Sequence, residues 1–316
     1  MLAFVVLSHR DPGQVLRLVR ALSEGERSAV AVRHDQRRST LEARDVEAAG
    51  GALISDGHEV GWGDLAYVRM ILDALETTAR ATGADWVVTV SGQDYPLRPI
   101  DELERHLAAS EHQALLADSW PLDLDVTPQP PRDEFFRRYR YRHYPMARRP
   151  ARLIGRALGP FAYQRSMPPG SPDLLGLRPP RHPFGPGLRC HVSSDWLMVD
   201  RRAIEGLTRF ARDAKAVMRH YARAAMPSES FFATALAADP AISVGPAPRA
   251  IRFQPGAAHP DTYGEDDVPE LLASGAFLGR KFDERGAPGV LDRLDDARRG
   301  GQAGSRSPTG PSTRST

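Results

Sequence analysis

The 316-residue sequence predicts a doubly wound α/β fold on a mostly parallel sheet, broken by an Arg- and Pro-rich insertion. Three observations predict it. Short apolar runs alternate with stretches at helical spacing. The runs end in polar residues, as strands do where such sheets bind ligands. The alternation then stops over residues 120–188 and resumes after them.

Residues 2–7 form an unbroken apolar run, the pattern of a parallel strand buried on both faces. Asp11-Pro12 opens a helix, with Val15, Leu16, Leu18, Val19 and Leu22 at helical spacing. Residues 28–32 read as a second strand and lead into Arg33-His34-Asp35. Residues 40–49 look helical, Gly50-Gly51 ends them, and 52–54 form a third strand. Asp64 is placed to cap a long helix running to about residue 81, stopped by Gly83. Residues 86–90 are the clearest strand of the chain. In the insertion, helices are expected around 133–142 and 150–158, joined by long irregular connections. Residues 196–199 read as a strand, and helices follow at 201–211 and 228–237. A single domain is expected over 1–285, with a polar tail over 286–316, disordered from about 298.

Composition narrows the function classes. At 41% hydrophobic and 26% charged the chain can bury a core, and a formal charge of +2 leaves no overall field that demands nucleic acid. One cysteine, Cys190, cannot form an internal disulfide and points to a reducing compartment. The first apolar run is too short to span a bilayer and lacks signal-peptide flanks, so a cytoplasmic protein is expected. Seven Arg fall between Arg132 and Arg149, interleaved with Phe135, Phe136, Tyr139, Tyr141 and Tyr144. Three readings fit it: a site for an anionic acceptor, a peripheral contact with an anionic membrane, or a solvated helical face.

The polar strand ends are Ser8-His9, His34-Asp35 and Ser91-Gly92-Gln93-Asp94. On local chemistry alone His9 and His34 are turn residues, and Asp94 is as readily a bonder of backbone amides. Glu229, in Pro227-Ser228-Glu229-Ser230-Phe231-Phe232, is as readily a first-turn helix carboxylate.

Company changes that reading. Ser91-Gly92-Gln93-Asp94-Tyr95-Pro96-Leu97 resembles the signature of the core-2/I-branching β-1,6-N-acetylglucosaminyltransferase and peptide O-xylosyltransferase family, glycosyltransferase family 14. Five further blocks occur in family order. They are His34-Asp35-Gln36-Arg37-Arg38-Ser39, Val60-Gly61-Trp62-Gly63, Ser193-Ser194-Asp195-Trp196-Leu197-Met198-Val199, the Glu229 segment, and His259-Pro260 with Phe277-Leu278-Gly279-Arg280-Lys281-Phe282-Asp283. The similarity covers about 3–110 and 188–285.

The resemblance implies a GT-A-type, Rossmann-like fold and an inverting transfer of N-acetylglucosamine, xylose or glucuronic acid. The donor is a nucleotide sugar, UDP-linked in that family, and the acceptor a hydroxyl. Glu229 matches the family's base, and Lys281 its basic residue at the diphosphate. His9, Asp35, Asp94 and Arg280 are expected on the donor side, with Arg252 and Arg280 as candidates for a second arginine. Asp195 and Trp196 are expected on the acceptor side, although a Trp in an apolar run also reads as core. The Asp-x-Asp metal pair of many GT-A enzymes is missing where the strand 86–90 ends, so no cofactor or divalent metal is expected. Asp123-Leu124-Asp125 has that spacing but sits in the insertion. Members from animals carry a membrane anchor and disulfides; the sequence resembles them in neither feature, so a soluble, bacterial-type relative is expected. The alternative reading is a non-catalytic glycan- or nucleotide-binding protein on the same scaffold, and a weaker third is a membrane-surface adaptor using the insertion.

Overall fold

The computed structural model describes residues 1–54, 60, 61, 63–128, 132–166, 172–254, 257 and 259–305. Trp62 therefore lies outside the described residues. The described chain is mixed α/β, with a mostly parallel central sheet and helices along its whole length.

The chain opens β1 (Leu2–Ser8), α1 (Pro12–Leu22), β2 (Ser28–His34), α2 (Ala43–Ala48) and β3 (Ala52–Leu53). β1 pairs parallel with β2 over its full length, Leu2 opposite Ser28 through Ser8 opposite His34. Its residues 2–7 are buried, as an apolar run of strand length requires. α1 has Pro12 in its first turn and buries Val15, Leu18, Val19 and Leu22 on one face.

α3 (Leu65–Thr82) is capped where the sequence places the cap: the Asp64 side chain accepts from the Tyr67 amide at 3.2 Å. Gly83, at φ 70°, ends it with a left-handed residue that only glycine adopts freely. Then come β4 (Trp86–Ser91), β5 (Asp94–Pro96), α4 (Ile100–Ala108), β6 (Ala114–Leu116) and β7 (Trp120–Leu122).

The insertion is more ordered than expected. It contains α5 (Asp133–Arg140), β8 (Arg142–Pro145), α6 (Arg148–Leu158), β9 (Ala162–Arg165) and β10 (Leu174–Leu177). β10 pairs antiparallel with both β8 and β9, giving a three-stranded sheet in place of the irregular connections expected there. All three strands are four residues long; β8 and β9 carry Arg and Tyr, and β10 is the brief run Leu174-Leu175-Gly176-Leu177, so none is long enough to read as a strand. Ala151 and Ile154 of α6 pack with Ala162, Leu175 and Leu177 of the sheet.

The remainder is β11 (Cys190–Val192), β12 (Met198–Asp200), α7 (Arg201–Asp213), α8 (Lys215–Tyr221), α9 (Ser228–Ala237), β13 (Val244–Pro246), β14 (Arg249–Ile251), α10 (Val268–Ala273), β15 (Leu278–Arg280) and α11 (Val290–Ser305). α11 departs from the disordered tail expected from about residue 298. Among its residues 290–300 the buried aliphatics are Val290, Leu291 and Leu294, too few to stand out in a polar sequence. Ion pairs supply the rest: Arg298, 2% exposed, donates to Asp295 at 2.6 Å, and Arg17 donates to Asp295 at 2.7 Å.

Backbone contacts group the chain into two compact units. The first comprises Met1–Leu53, Val90–Ser110 and the chain from Pro248. Its strands are β1 to β3, the end of β4, and a three-stranded sheet in the order β14, β15, β5. The second comprises Ile54–Thr89 and Glu111–Ala247. There β12 runs antiparallel to β4 and β6, β13 pairs parallel with β6, and β11 pairs antiparallel with β7.

Candidate functional site

The first unit gathers the expected donor-side residues at strand ends. Asp35 begins the loop after β2, its amide donating to the Ser8 carbonyl at 2.9 Å. Ser8 Oγ lies 2.8 Å from His34 Nδ1, and His34 Nε2 is 2.8 Å from both the carbonyl and the hydroxyl of Ser39. His34 thus pins two loops together, the local role that turn chemistry predicts. Arg37 grips Asp35 with two forked bonds, Nε at 2.8 Å and a terminal nitrogen at 3.0 Å, and holds its carboxyl below the usual range. Desolvation, followed by the charges of Arg38 and Arg10, lowers the pKa of His9.

Beyond β4 the chain turns at Gly92. A Cβ there would sit 3.0 Å from both Ser8 Cβ and Val15 Cγ2, so only glycine fits the approach without displacing them. Asp94 follows, fully buried, and is the hub of the unit's charge. Its Oδ1 accepts from Ser91 Oγ at 2.7 Å and from Arg280 at 3.0 Å, and its Oδ2 from the buried guanidinium of Arg249. Strand register explains the meeting: β15 runs antiparallel to β5 with Arg280 opposite Asp94. Asp94 is thus enclosed by Ser91, Arg249 and Arg280.

Lys281 follows Arg280. Its amide and carbonyl are tied to the Asp261 carbonyl (3.4 Å) and the Tyr263 amide (3.0 Å), while no carboxylate of the described residues pairs with its ammonium. Gln14, buried on α1, stitches this segment down: its Nε2 donates to the Gly92 and Phe282 carbonyls, both at 3.1 Å, and its Oε1 accepts from the Glu284 amide at 3.0 Å. Arg252, a candidate for the second arginine, is committed to Asp261 at 2.9 Å and Asp267 at 2.8 Å, and lies over the Tyr263 ring.

The second unit holds the expected base. Glu229 sits in the first turn of α9, which starts after Met226 (φ 53°) and Pro227. The Met226 carbonyl accepts from Tyr139 Oη at 3.0 Å, and the Glu229 carbonyl from the Ser193 amide at 2.9 Å. Arg138 of α5 donates to Glu229 Oε2 and, from its other nitrogens, to Glu134 Oε1 at 2.5 and 3.1 Å. Burial pushes the Glu229 carboxyl up and the Asp195 charge adds to it, against Arg138. Asp195 is thus within electrostatic reach of Glu229, and both it and Trp196 are partly exposed. The partial exposure of Trp196 departs from the core packing that its apolar run allows.

Behind Glu229 a dry polar cluster fixes α9. Tyr221 Oη lies 2.7 Å from Ser230 Oγ and donates to Thr234 Oγ1 at 3.0 Å, with Cys190 Sγ 3.3 Å from Ser230 Oγ. Burial raises the Cys190 thiol to about 12, so it is inert as a nucleophile. Asp123 and Asp125 are not arranged as a pair of ligands: Asp123 Oδ1 accepts the Asp125 amide at 2.8 Å, and Asp125 Oδ1 meets His182 at 3.1 Å.

Arg138, Arg249 and Gln14 escaped the sequence reading. Arg138 is one of many arginines in its segment, and Arg249 is a lone cation in a three-residue strand. Gln14 alone left a signal, an amide on the apolar side of a helix.

No family model matches the chain. No curated protein matches it. Among solved structures it is similar to a putative glucose-1-phosphate thymidylyltransferase from Bacillus anthracis, in complex with a sucrose. That match has a TM-score of 0.31 and 8% identity over 98% of each chain. A second, HddC from Yersinia pseudotuberculosis, has a TM-score of 0.28 and 11% identity over 65% of this chain and 79% of that one. Likenesses this loose carry no argument about function, which rests on the chemistry of the residues themselves.

Proposed function

We propose that the chain is an inverting glycosyltransferase. It moves a sugar of the N-acetylglucosamine, xylose or glucuronic acid class from a nucleotide-sugar donor, UDP-linked, to a hydroxyl acceptor. The observation that carries the reading is the setting of Glu229. A carboxylate raised by burial is a stronger proton acceptor than a free one, and the guanidinium of Arg138 opposes the rise.

In the proposed step the acceptor oxygen attacks carbon 1 of the donor sugar and gives its proton to Glu229. The bond from carbon 1 to the diphosphate breaks on the opposite side, inverting the centre. The departing diphosphate gains negative charge, which Lys281 and Arg280 stabilise in the first unit. Asp94 and Arg249 hold Arg280 in place, and Asp35 and His9 face the nucleoside. Asp195 and Trp196 contact the acceptor.

A screen of UDP-, GDP- and dTDP-sugars tests the reading. It predicts thermal stabilisation by one nucleotide class and transfer or slow hydrolysis of its sugar. Binding without any turnover over a broad acceptor panel would favour the non-catalytic alternative. Chelation by EDTA should leave transfer intact, because Ser91–Asp94 stand where a metal-binding pair would be. Activity lost to EDTA and restored by manganese would contradict that part.

A further inference from the structure

Between Glu134 and Asp173 the sequence carries nine arginines and no acidic residue, in a chain whose net charge is only +2. Several of the nine are used internally: Arg138 on Glu229, Arg148 on Asp173, Arg165 on Glu134, and Arg140 on the Pro179 carbonyl. Arg149, Arg152 and Arg156 are not. They recur at helical spacing along α6, all three are exposed, and no carboxylate of the described residues pairs with them.

Apolar side chains stand among them. Leu153 is 66% exposed, and at the end of α6 Leu158 is 45% and Phe161 62% exposed. Half of the six large apolar side chains that the described residues expose belong to this one helix and the turn after it. The turn is not a loose end. Tyr141 Oη donates to the Pro160 carbonyl at 2.7 Å, and the Arg178 amide to the Phe161 carbonyl at 2.8 Å. The opposite side of α6, through Ala151 and Ile154, is packed on the β8–β10–β9 sheet. The element is thus a braced helix presenting guanidinium groups around apolar tips.

We infer that α6 and its following turn dock on a lipid bilayer with anionic headgroups. The three guanidinium groups bind headgroup phosphates, for which their forked donors are suited. Leu153, Leu158 and Phe161 enter the boundary between headgroups and acyl chains, where an interfacial helix buries its apolar residues. Nucleic acid fits the charge but not the leucines, which have no base face to stack on a base. The inference is independent of the proposed transfer reaction and stands or falls without it.

Co-sedimentation of the full chain tests it, using vesicles of phosphatidylcholine alone and of phosphatidylcholine mixed with phosphatidylglycerol. Binding is expected only to the mixed vesicles, weakening as salt rises. Replacing Arg149, Arg152 and Arg156 with Ala should cut partitioning on the order of a hundredfold, since each cation near an anionic surface contributes several-fold. The three Lys replacements should keep most of it. Leu153→Ser with Phe161→Ser should weaken binding with the charge intact. All of these positions are exposed, so the melting temperature should not move, and the Lys variant checks any that does. Equal binding to neutral vesicles, or no loss in the Ala variant, would overturn the inference. So would tight binding to a single-stranded oligonucleotide that is indifferent to the Ser pair.

Discussion

Arg138 donates to Glu229 across 91 residues of sequence, so the insertion places a cation on the carboxylate proposed as the base. The same guanidinium is held on its far side by Glu134. Arg138 is therefore fixed between two carboxylates: burial raises both, but Arg138 and Arg165 bring Glu134 below its ordinary value, whereas Glu229 stays above its own. Removing the cation leaves burial and Asp195 unopposed. In Arg138→Ala the acid limb of the rate profile should move to higher pH, with turnover at neutral pH down roughly tenfold. Arg138→Lys should restore part of both. A profile of rate against pH for the three proteins checks this, and an unmoved acid limb in the Ala variant would count against the coupling.

Asp94 and Lys281 separate structure from function in the first unit. Asp94 is buried between two arginines, so Asp94→Asn leaves Arg249 buried without its counter-charge, at a cost of about 3–5 kcal/mol. No carboxylate of the described residues pairs with Lys281. Lys281→Ala should keep the parent's melting temperature and weaken binding of a nucleoside diphosphate roughly tenfold to a hundredfold. Denaturant titration and calorimetry with UDP distinguish the two variants.

Acid should loosen the second unit. His143 bridges the Arg223 carbonyl at 3.1 Å and Tyr163 Oη at 2.6 Å, and His220 lies 2.7 Å from the Tyr139 carbonyl. Burial lowers each imidazole to about 4, against about 6.5 in the unfolded chain. The folded state therefore binds fewer protons between those values. Their contribution is complete above about pH 6.5 and falls away as pH drops towards 4, by on the order of 3 kcal/mol for each histidine. Urea midpoints at pH 7 and pH 4.5 should differ accordingly, and replacing both histidines with Gln should shrink the difference.

The C-terminal helix should be part of the folded first unit. Leu294 is fully buried, and Tyr95, next to Asp94, donates to Asp295 at 2.7 Å. Leu294→Ala should cost about 2–5 kcal/mol. Truncation before Val290 should also expose Arg17 and Tyr95. Hydrogen exchange at β5 in the truncated chain is the direct check.

How much of this was legible in the sequence follows from where the signal was local. The cap at Asp64, the stop at Gly83 and the bounds of α9 depend on neighbours in sequence, and the structure has them where they were expected. The β8–β10–β9 sheet and α11 were not legible, because four-residue strands and a helix held by ion pairs leave no hydrophobic period. The candidate site divides the same way. Glu229 and Lys281 sit in recognisable motifs, whereas Arg138 and Arg249 matter only through partners 91 and 155 residues away. Asp94 sits in a recognisable motif too, but nothing local in the sequence shows that it is fully buried between two arginines.

The central claim is that Glu229 takes the acceptor's proton. Glu229→Gln keeps the shape and the partial exposure of the side chain while removing its basicity. Transfer should fall by about 10²- to 10⁴-fold with donor affinity unchanged, measured on the same preparation. A Gln variant that turns over at the parent's rate would contradict the assignment outright.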